Sequence, residues 1–420
     1  MEEMEGPNAV AAAVIGWFQA SAIAQKKHPR SEWTVLAGVV LRVKHDAQED
    51  ELRVLATGTG TKCLGCRDLD PNGLVVNDAH AEIIARRAFS CLLRPIDFER
   101  SQETGKLKLK AGHELHLFIS EAPCGDAAIY PLKETVVDAL VQQRTQRTGA
   151  DERSELRLTG AKKRSRTDGE EGYDEDAPQD KKFEQLVGVS RVKSGRSDLP
   201  EDKQTLSMSC SDKIAKWAVL GVQGTLLLQW FEPLYLSSVV VLGDPNCQSR
   251  ATQQRALQRA LCDRIGSIVE RNMEITVLDR PDNFGYDRVR DSSKAPSPLS
   301  LNWTRSEKHW ESNLRSDSVE VLVSASGYKQ GAKKASKLNL TEKQRVASRL
   351  SKWAFFRLFS SLCVRGMPTS ETSNPQSYKD TKTAVLNSND HRAIATRWES
   401  FRAQMGSWVG VPSKFKCFYL

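Results

Sequence analysis

His80 and Glu82 stand two apart in "NDAHAEIIARR", while Cys124 sits in "PCGD" and Cys210 in "SMSCSDK". A hydrolytic metal site needs a few protein ligands, an open position for water, and a base that does not itself bind the metal. His80 and Glu82 fit that division of labour, with the imidazole ligating and the carboxylate moving protons. In a regular helix their side chains would point about 200° apart, unlike the i, i+4 histidines of an HExxH zinc protease. On its own, H-x-E does not separate such a pair from ordinary capping or surface residues.

The general zinc-deaminase signature runs from H-x-E to P-C-x-x-C, whose thiolates complete a His/Cys/Cys site. Here the position three beyond Cys124 is Ala127, so the third ligand has to come from elsewhere. Cys210 is the best candidate. A polar insertion lies between the two cysteines and, looped out, lets both return to one place at neighbouring helix starts. Cys63 and Cys66 form a local C-x-x-C, with no second pair or nearby histidine to complete a four-ligand site. His113 and His116 fall on opposite faces of a strand and read as solvent-facing or satisfied polar residues. Cys91, Cys247, Cys262 and Cys363 read as core or near-surface thiols.

The elements that must hold these residues alternate between strand and helix. "WTVLAGVVLRV" (33–43) and "ELRVLATGTG" (51–60) are β-rich and separated by a polar turn, which predicts a hairpin. "VV" at 75 and 76 ends a strand before a helix opening near Asp78. "HELHLFIS" (113–120) alternates as a strand, and Pro123 after it suits a helix start. "LSMSCSDKIAKWAVLGVQG" (206–224) predicts a helix capped by Ser211 or Asp212 and ended by Gly221. "SSVVVLG" (237–243) and "SVEVLVSAS" (318–326) predict strands, "TQQRALQRALCDRIGSI" a helix, and "LTEKQRVASRLSKWAFFRLFSSL" one long helix. "MEEMEGPNAVAAAVIGWFQ" has an acidic end where a signal peptide carries a basic one, and reads as an amphipathic first helix. Strands interleaved with helices predict an α/β layered domain.

Charge and cysteine usage narrow the function classes. Residues 141–205 hold 14 Lys+Arg and 14 Asp+Glu with few large apolar side chains, which predicts a disordered insertion, with "KKRSR" (162–166) a candidate nuclear localisation signal. The chain carries a net charge of +8, but residues 329–420 alone hold 17 Lys+Arg against 5 Asp+Glu, and a field of that density meets phosphates. Nine cysteines without a repeating spacing argue against a secreted disulfide framework. The expected compartment is the cytoplasm, the nucleus or both. No apolar run is long enough to cross a bilayer, and nothing in the sequence calls for an obligate protein partner.

"NDAHAEIIARR", "PCGDA" and "MSCSDKIAKWAVLGVQGTLL", with "GTGTKC" (58–63) and "ASRLSK" (347–352) in the same order, closely resemble the adenosine deaminases that act on RNA. The resemblance implies a cytidine-deaminase-like α/β fold over 1–420: a central mixed sheet flanked by helices, elaborated by the 141–205 insertion and a basic helical part over 329–420. It implies a zinc held by His80, Cys124 and Cys210, with Glu82 shuttling protons as water attacks C6 of adenine, leaving inosine. Members of this family bury inositol hexakisphosphate. By motif position its shell here would be Asn77, Ile83, Arg86, Arg87, Lys213, Lys216, Trp217, Gln223, Thr225, Lys352, Tyr378 and Lys382, with Asp78 and Lys213 linking it toward the zinc. Thr61 and Lys62 are candidate substrate contacts.

Three positions depart from the mRNA-editing members. A shell tyrosine falls at Ser388, the lysine after it at Arg392, and the arginine after "PCGDA" at Ala128. The segment after Trp408 also lacks an acid and a lysine found there. The stretch before Trp33 is too short for a folded double-stranded-RNA-binding module, and "GRSD...LSMSCSDK" looks more like the tRNA-specific enzymes. In that branch the substrate is alanine tRNA, edited immediately 3′ of the anticodon, and the basic C-terminal part is the expected RNA surface. An editor of duplex or messenger RNA, and a catalytically silent RNA-binding relative, are the rival readings.

Overall fold

"LAGVVLRV" is almost wholly apolar because both of its faces are covered. In the computed structural model, β1 (Leu36–Val43) is a central strand. Ala37, Val39, Leu41 and Val43 enter the main core, while Leu36 and Val40 meet an N-terminal helix, α1 (Pro7–Ala20), through Val14 and Phe18. The two faces follow the period-2 alternation of a pleated strand.

The structure describes residues 6–45, 49–91, 97–148, 187–193, 200–269, 271–282, 284–286, 288, 294–305, 319–334, 337–364, 376–406 and 408–420. β1 pairs antiparallel with β2 (Glu51–Thr59), as the hairpin pattern predicts. Two short strands follow, β3 (Thr61–Cys63) and β4 (Asp78–His80), and pair with each other outside the main sheet. The remaining strands of the main sheet are β5 (His113–Ile119), β6 (Ser238–Leu242), β7 (Glu274–Leu278), β8 (Leu299–Thr304), β9 (Glu320–Val323) and β10 (Tyr328–Lys329). They form a single mixed eight-stranded sheet in the order β7-β6-β5-β1-β2-β8-β9-β10, parallel through β7, β6 and β5 and antiparallel beyond.

Helices cover both faces: α1 on one, and α2 (Ala81–Ser90) with α3 (Cys210–Leu220) and α4 (Arg250–Leu261) on the other. This is a mixed α/β architecture. The basic C-terminal part adds α5 (Leu340–Val346), α6 (Lys352–Val364), α7 (Tyr378–Asn387) and α8 (Arg392–Met405). Among the described residues no helix is long and apolar enough to cross a membrane.

Four local expectations need correction. "LTEKQRV…SSL" is two helices, because residues 347–351 leave the helix to serve the sheet edge. Ser348 Oγ and the Arg349 backbone N–H donate to Glu320, the Arg349 guanidinium donates to Asn302, and Leu350 O accepts from Arg87 Nε at 2.7 Å. Pro123 starts no helix, since Asp126 is drawn into buried contacts that leave only a single turn at Asp126–Ala128. The α3 cap is Ser209, which accepts from Asp212 N at 3.2 Å, two residues before the expected Ser211; Gly221 ends the helix as expected. The strand expected to end at Val75 and Val76 falls instead at Asp78–His80, in place of the opening turn of α2.

The polar insertion expected over 141–205 falls largely on 149–186 and 194–199, outside the described residues, and "KKRSR" lies there too. Residues 187–193 are folded onto the core: Val192 bridges Met208, and Arg191 is buried.

Candidate metal centre and basic cavity

β3 fixes the strand that carries the histidine. Thr61 stands opposite His80, Lys62 opposite Ala79, and Cys63 opposite Asp78. Gly60 makes the close approach possible, since at φ +133° a Cβ there would lie 2.1 Å from the Ala79 carbonyl. His80 is the cap residue of α2, still in extended backbone (φ −68°, ψ 142°), and Glu82 lies in the first helical turn, 2 % exposed. The 200° separation expected in a regular helix therefore does not apply, because His80 precedes the helix.

Cys124 and Cys210 come together from opposite sides of the insertion. Gly125 (φ +107°) lets the Cys124 loop press on α3, where a Cβ would fall 2.2 Å from Ser209 Oγ. The Ser211 backbone N–H donates to Cys124 O at 3.0 Å, and the Cys210 backbone N–H donates to Cys124 Sγ at 3.4 Å. The ligand atoms of His80, Cys124 and Cys210 all lie within 4.8 Å of one another. One imidazole and two thiols, with no fourth protein donor in the group, are a donor set suited to zinc with a position open.

The two thiols are inequivalent. The hydrogen bond from Cys210 holds the Cys124 thiol well below its usual range against the opposing effect of burial, with the charges of Lys193 and His80 adding to it. Burial, the Cys124 partner and the charge of Glu82 push Cys210 well above that range.

A buried charge chain runs from this cluster. Lys193 Nζ donates to Cys210 Sγ at 2.9 Å and to Asp78 Oδ1 at 2.8 Å. Asp78 Oδ2 accepts from Lys213 Nζ at 2.5 Å and from Ser207 Oγ at 3.1 Å. Burial opposes the Asp78 charge, but Lys193 and Lys213 outweigh it and hold the carboxyl well below the usual range. Sequence reasoning missed Lys193 because it sits at the edge of the polar stretch. The valines of "VGVSRV" (187–192) are the signal that this edge packs against the fold. Asp78→Asn leaves two buried ammonium groups without their shared counter-charge and is expected to cost about 3–5 kcal/mol, read from urea midpoints.

Lys213 also faces a cavity of about 730 Å³. Asn77, Ile83, Arg86, Arg87, Lys216, Trp217, Gln223, Thr225, Lys352, Tyr378 and Lys382 line it as well, so all twelve residues expected to form a shell line one cavity. Lys379, Arg402 and Lys416 join them, none of which sequence reasoning placed there. Nine cations thus line the wall against one carboxylate, Asp78, already paired.

Apart from Lys213, which Asp78 pairs, Arg86 and Lys216 show cations held by groups that do not neutralise them. Arg86 Nε donates to Val222 O at 2.6 Å, and Lys216 Nζ lies 4.0 Å from the centre of the Trp398 ring. Burial, then neighbouring cations, lower Lys216 and Lys352 to about 7 and Arg86 to about 10. Such a wall fits a polyanion, because an uncompensated buried cluster of like charge is strongly unfavourable.

Ser388 and Arg392 do not reach the cavity: Ser388 caps α7, and Arg392 donates to Asn389 Oδ1. The Gln223 amide is already engaged by Leu220 O and Leu234 N. Five cations of the basic C-terminal part, Lys352, Lys379, Lys382, Arg402 and Lys416, line this cavity, with Lys379 and Arg402 exposed. Thr61 and Lys62 are half-buried on β3 beside His80, and Thr61 Oγ1 has no hydrogen-bond partner among the described residues.

The adenosine-deaminase (editase) domain matches residues 56–412 of this chain. The tRNA-specific adenosine deaminase 1 of Drosophila melanogaster is 30% identical over 361 residues, covering 83% of this chain and 80% of that protein. The mouse tRNA-specific adenosine deaminase 1 is 27% identical, covering 94% of this chain and 95% of its own length. The double-stranded RNA-specific editase Adar of Drosophila melanogaster is 28% identical over 90% of this chain, but the chain spans only 50% of that protein.

Proposed function

The chain belongs to the adenosine-deaminase (editase) domain family, and from that premise we propose that it deaminates adenosine to inosine in tRNA, with alanine tRNA, 3′ of the anticodon, as its substrate. The observation that carries the reaction is the convergence of His80, Cys124 and Cys210 beside a buried Glu82. Two relatives named as tRNA-specific align over most of their own length, which favours tRNA over duplex RNA.

His80, Cys124 and Cys210 would hold zinc, which supplies a Lewis acid able to activate water at neutral pH. Glu82 takes the proton of the attacking water, delivers it to N1 of adenine, and then protonates the departing ammonia. The balance is adenosine plus water giving inosine plus ammonia. Lys193 and the α3 N-terminus favour thiolate at Cys124, while Cys210, pushed up by burial, would give up its proton on metal binding. Thr61 and Lys62, which pair with His80 and Ala79, would meet the nucleotide that has left its stack.

In this reading inositol hexakisphosphate fills the nine-cation cavity, where it neutralises charge that the protein itself leaves uncompensated. The RNA surface is then built from the outward cations of the C-terminal part, and binding weakens steeply with salt. All eight cysteines whose state is described are free, in keeping with a cytoplasmic or nuclear enzyme.

Sequencing alanine tRNA and a duplex RNA after incubation with the protein tests the reading. An A-to-G change beside the anticodon, in tRNA alone, is the expected result. Editing of the duplex alone would transfer the chain to the other branch of the family.

A further inference from the structure

Each cysteine of the metal group is followed, two residues on, by an aspartate: Cys124-Gly125-Asp126 and Cys210-Ser211-Asp212. Both aspartates are fully buried. Both are held from the same two places. Arg259, on α4, donates through Nε to Asp126 Oδ2 at 3.1 Å and through Nη2 to the backbone carbonyls of Asp126 and Ile129 at 2.9 and 3.0 Å. Arg264, in the turn that continues α4, places Nη2 2.8 Å from Asp212 Oδ1. From the other side, the Gly188 backbone N–H donates to Asp126 Oδ1 at 2.8 Å and the Arg191 backbone N–H to Asp212 Oδ2 at 2.9 Å.

We propose that Arg259 and Arg264 are positioning residues that set the separation of the two metal-binding thiolates by clamping Asp126 and Asp212 to one rigid element. The inference rests on the zinc reading above. Neither arginine touches a ligand atom; each acts through the aspartate two residues beyond it.

The geometry explains why charge is used where apolar packing would also fill space. The Cys124 segment is a loop with a single turn, and a loop has no ladder of its own to fix where a side chain points. Apolar contacts are non-directional. A guanidinium that reaches one carboxylate oxygen and two backbone carbonyls fixes both the place and the orientation of the Cys124 loop. The same segment, five residues on, brings the Arg264 charge to Asp212 at the start of α3, as an ion pair without the hydrogen bonds that Arg259 makes. The distance between the two anchors is therefore the length of a stretch of helix and turn. The strap at 188–193 adds Lys193 to the Cys210 sulfur and completes the enclosure.

The test uses the full-length protein loaded with Co²⁺ in place of zinc, so that thiolate charge-transfer and ligand-field bands report ligand geometry without reference to activity. Zinc loss to a chelator is timed on the same variants. Arg259→Met and Arg264→Met are expected to change the cobalt bands and release zinc about tenfold faster. Arg259→Lys, which keeps one donor for Asp126, should restore part of both signals. Val14→Ala, in the separate cluster under α1, supplies a control for loss of general stability.

Unchanged bands and release in the two Met variants, or changes no larger than those of Val14→Ala at equal loss of melting temperature, would overturn the clamp. If a Met variant does not fold, the comparison of wild type with Arg259→Lys and Arg264→Lys gives the same reading from milder changes. A wild-type protein that binds neither metal would instead overturn the zinc reading itself.

Discussion

Glu82→Gln is expected to lower turnover on RNA by about 10³-fold or more while zinc stays at one per chain. Positioned acid–base groups contribute about 10²–10⁴-fold each, and Glu82 has to serve both the attack on C6 and the departure of ammonia. The isostere keeps the volume and the buried position but cannot carry a proton. Zinc content should hold because the metal group is His80, Cys124 and Cys210. The sign of the electrostatics agrees: the Glu82 charge is one of the influences pushing the Cys210 thiol up, so removing it makes the thiolate easier to form. Metal analysis and single-turnover deamination of the same preparation check both halves. A Glu82→Gln protein that had lost its zinc would show that the carboxylate holds the metal, and the division of roles would fail.

What could be read from the residues was whatever carries its own local signal. Alternating valines and leucines placed β1, β2 and β5, and the flanking motifs paired Cys210 with Cys124 across 85 intervening residues. The break at 347–351 was not readable, because "VASRLS" has the composition of a helix. It is opened by Glu320 and Asn302, which lie on strands far away in sequence. Lys193 was hidden for a related reason. A lysine at the rim of a charged stretch looks solvated until its partners, Asp78 and the Cys210 sulfur, are brought beside it. The basic C-terminal part shows the limit of composition most plainly, since charge density does not say whether a lysine faces outward to RNA or inward to a cavity. The cavity that Lys352, Lys382 and Lys416 line is seen only in three dimensions.

A protein whose cavity has been emptied of anion is expected to refold poorly at pH 7 and better at pH 9. Lys216 and Lys352 titrate at about 7 in the folded chain, against 10.5 for an ordinary lysine, because burial strips their water and nearby cations repel them. Between about 7 and 10.5 the unfolded chain therefore binds protons that the empty folded chain does not, and stability rises with pH across that window. Below 7 both lysines are charged in both states, and the full penalty stands. At about 1.4 kcal/mol per pKa unit, each lysine costs on the order of 5 kcal/mol. The two together rival the whole net stability of a typical domain, about 5–15 kcal/mol. A bound polyanion reverses the sign by favouring the charged lysines, so in the loaded protein their contribution is present below about 10.5, the ordinary lysine value, and is lost only as pH rises beyond it. Refolding from urea at pH 7 and pH 9, with and without inositol hexakisphosphate, reads this directly. Lys216→Met should raise the refolding yield of the empty protein at pH 7 and lower the melting temperature of the loaded one. An empty protein that refolds equally well at both pH values, and gains nothing from the polyphosphate, would rule out a buried anion as the partner of these nine cations.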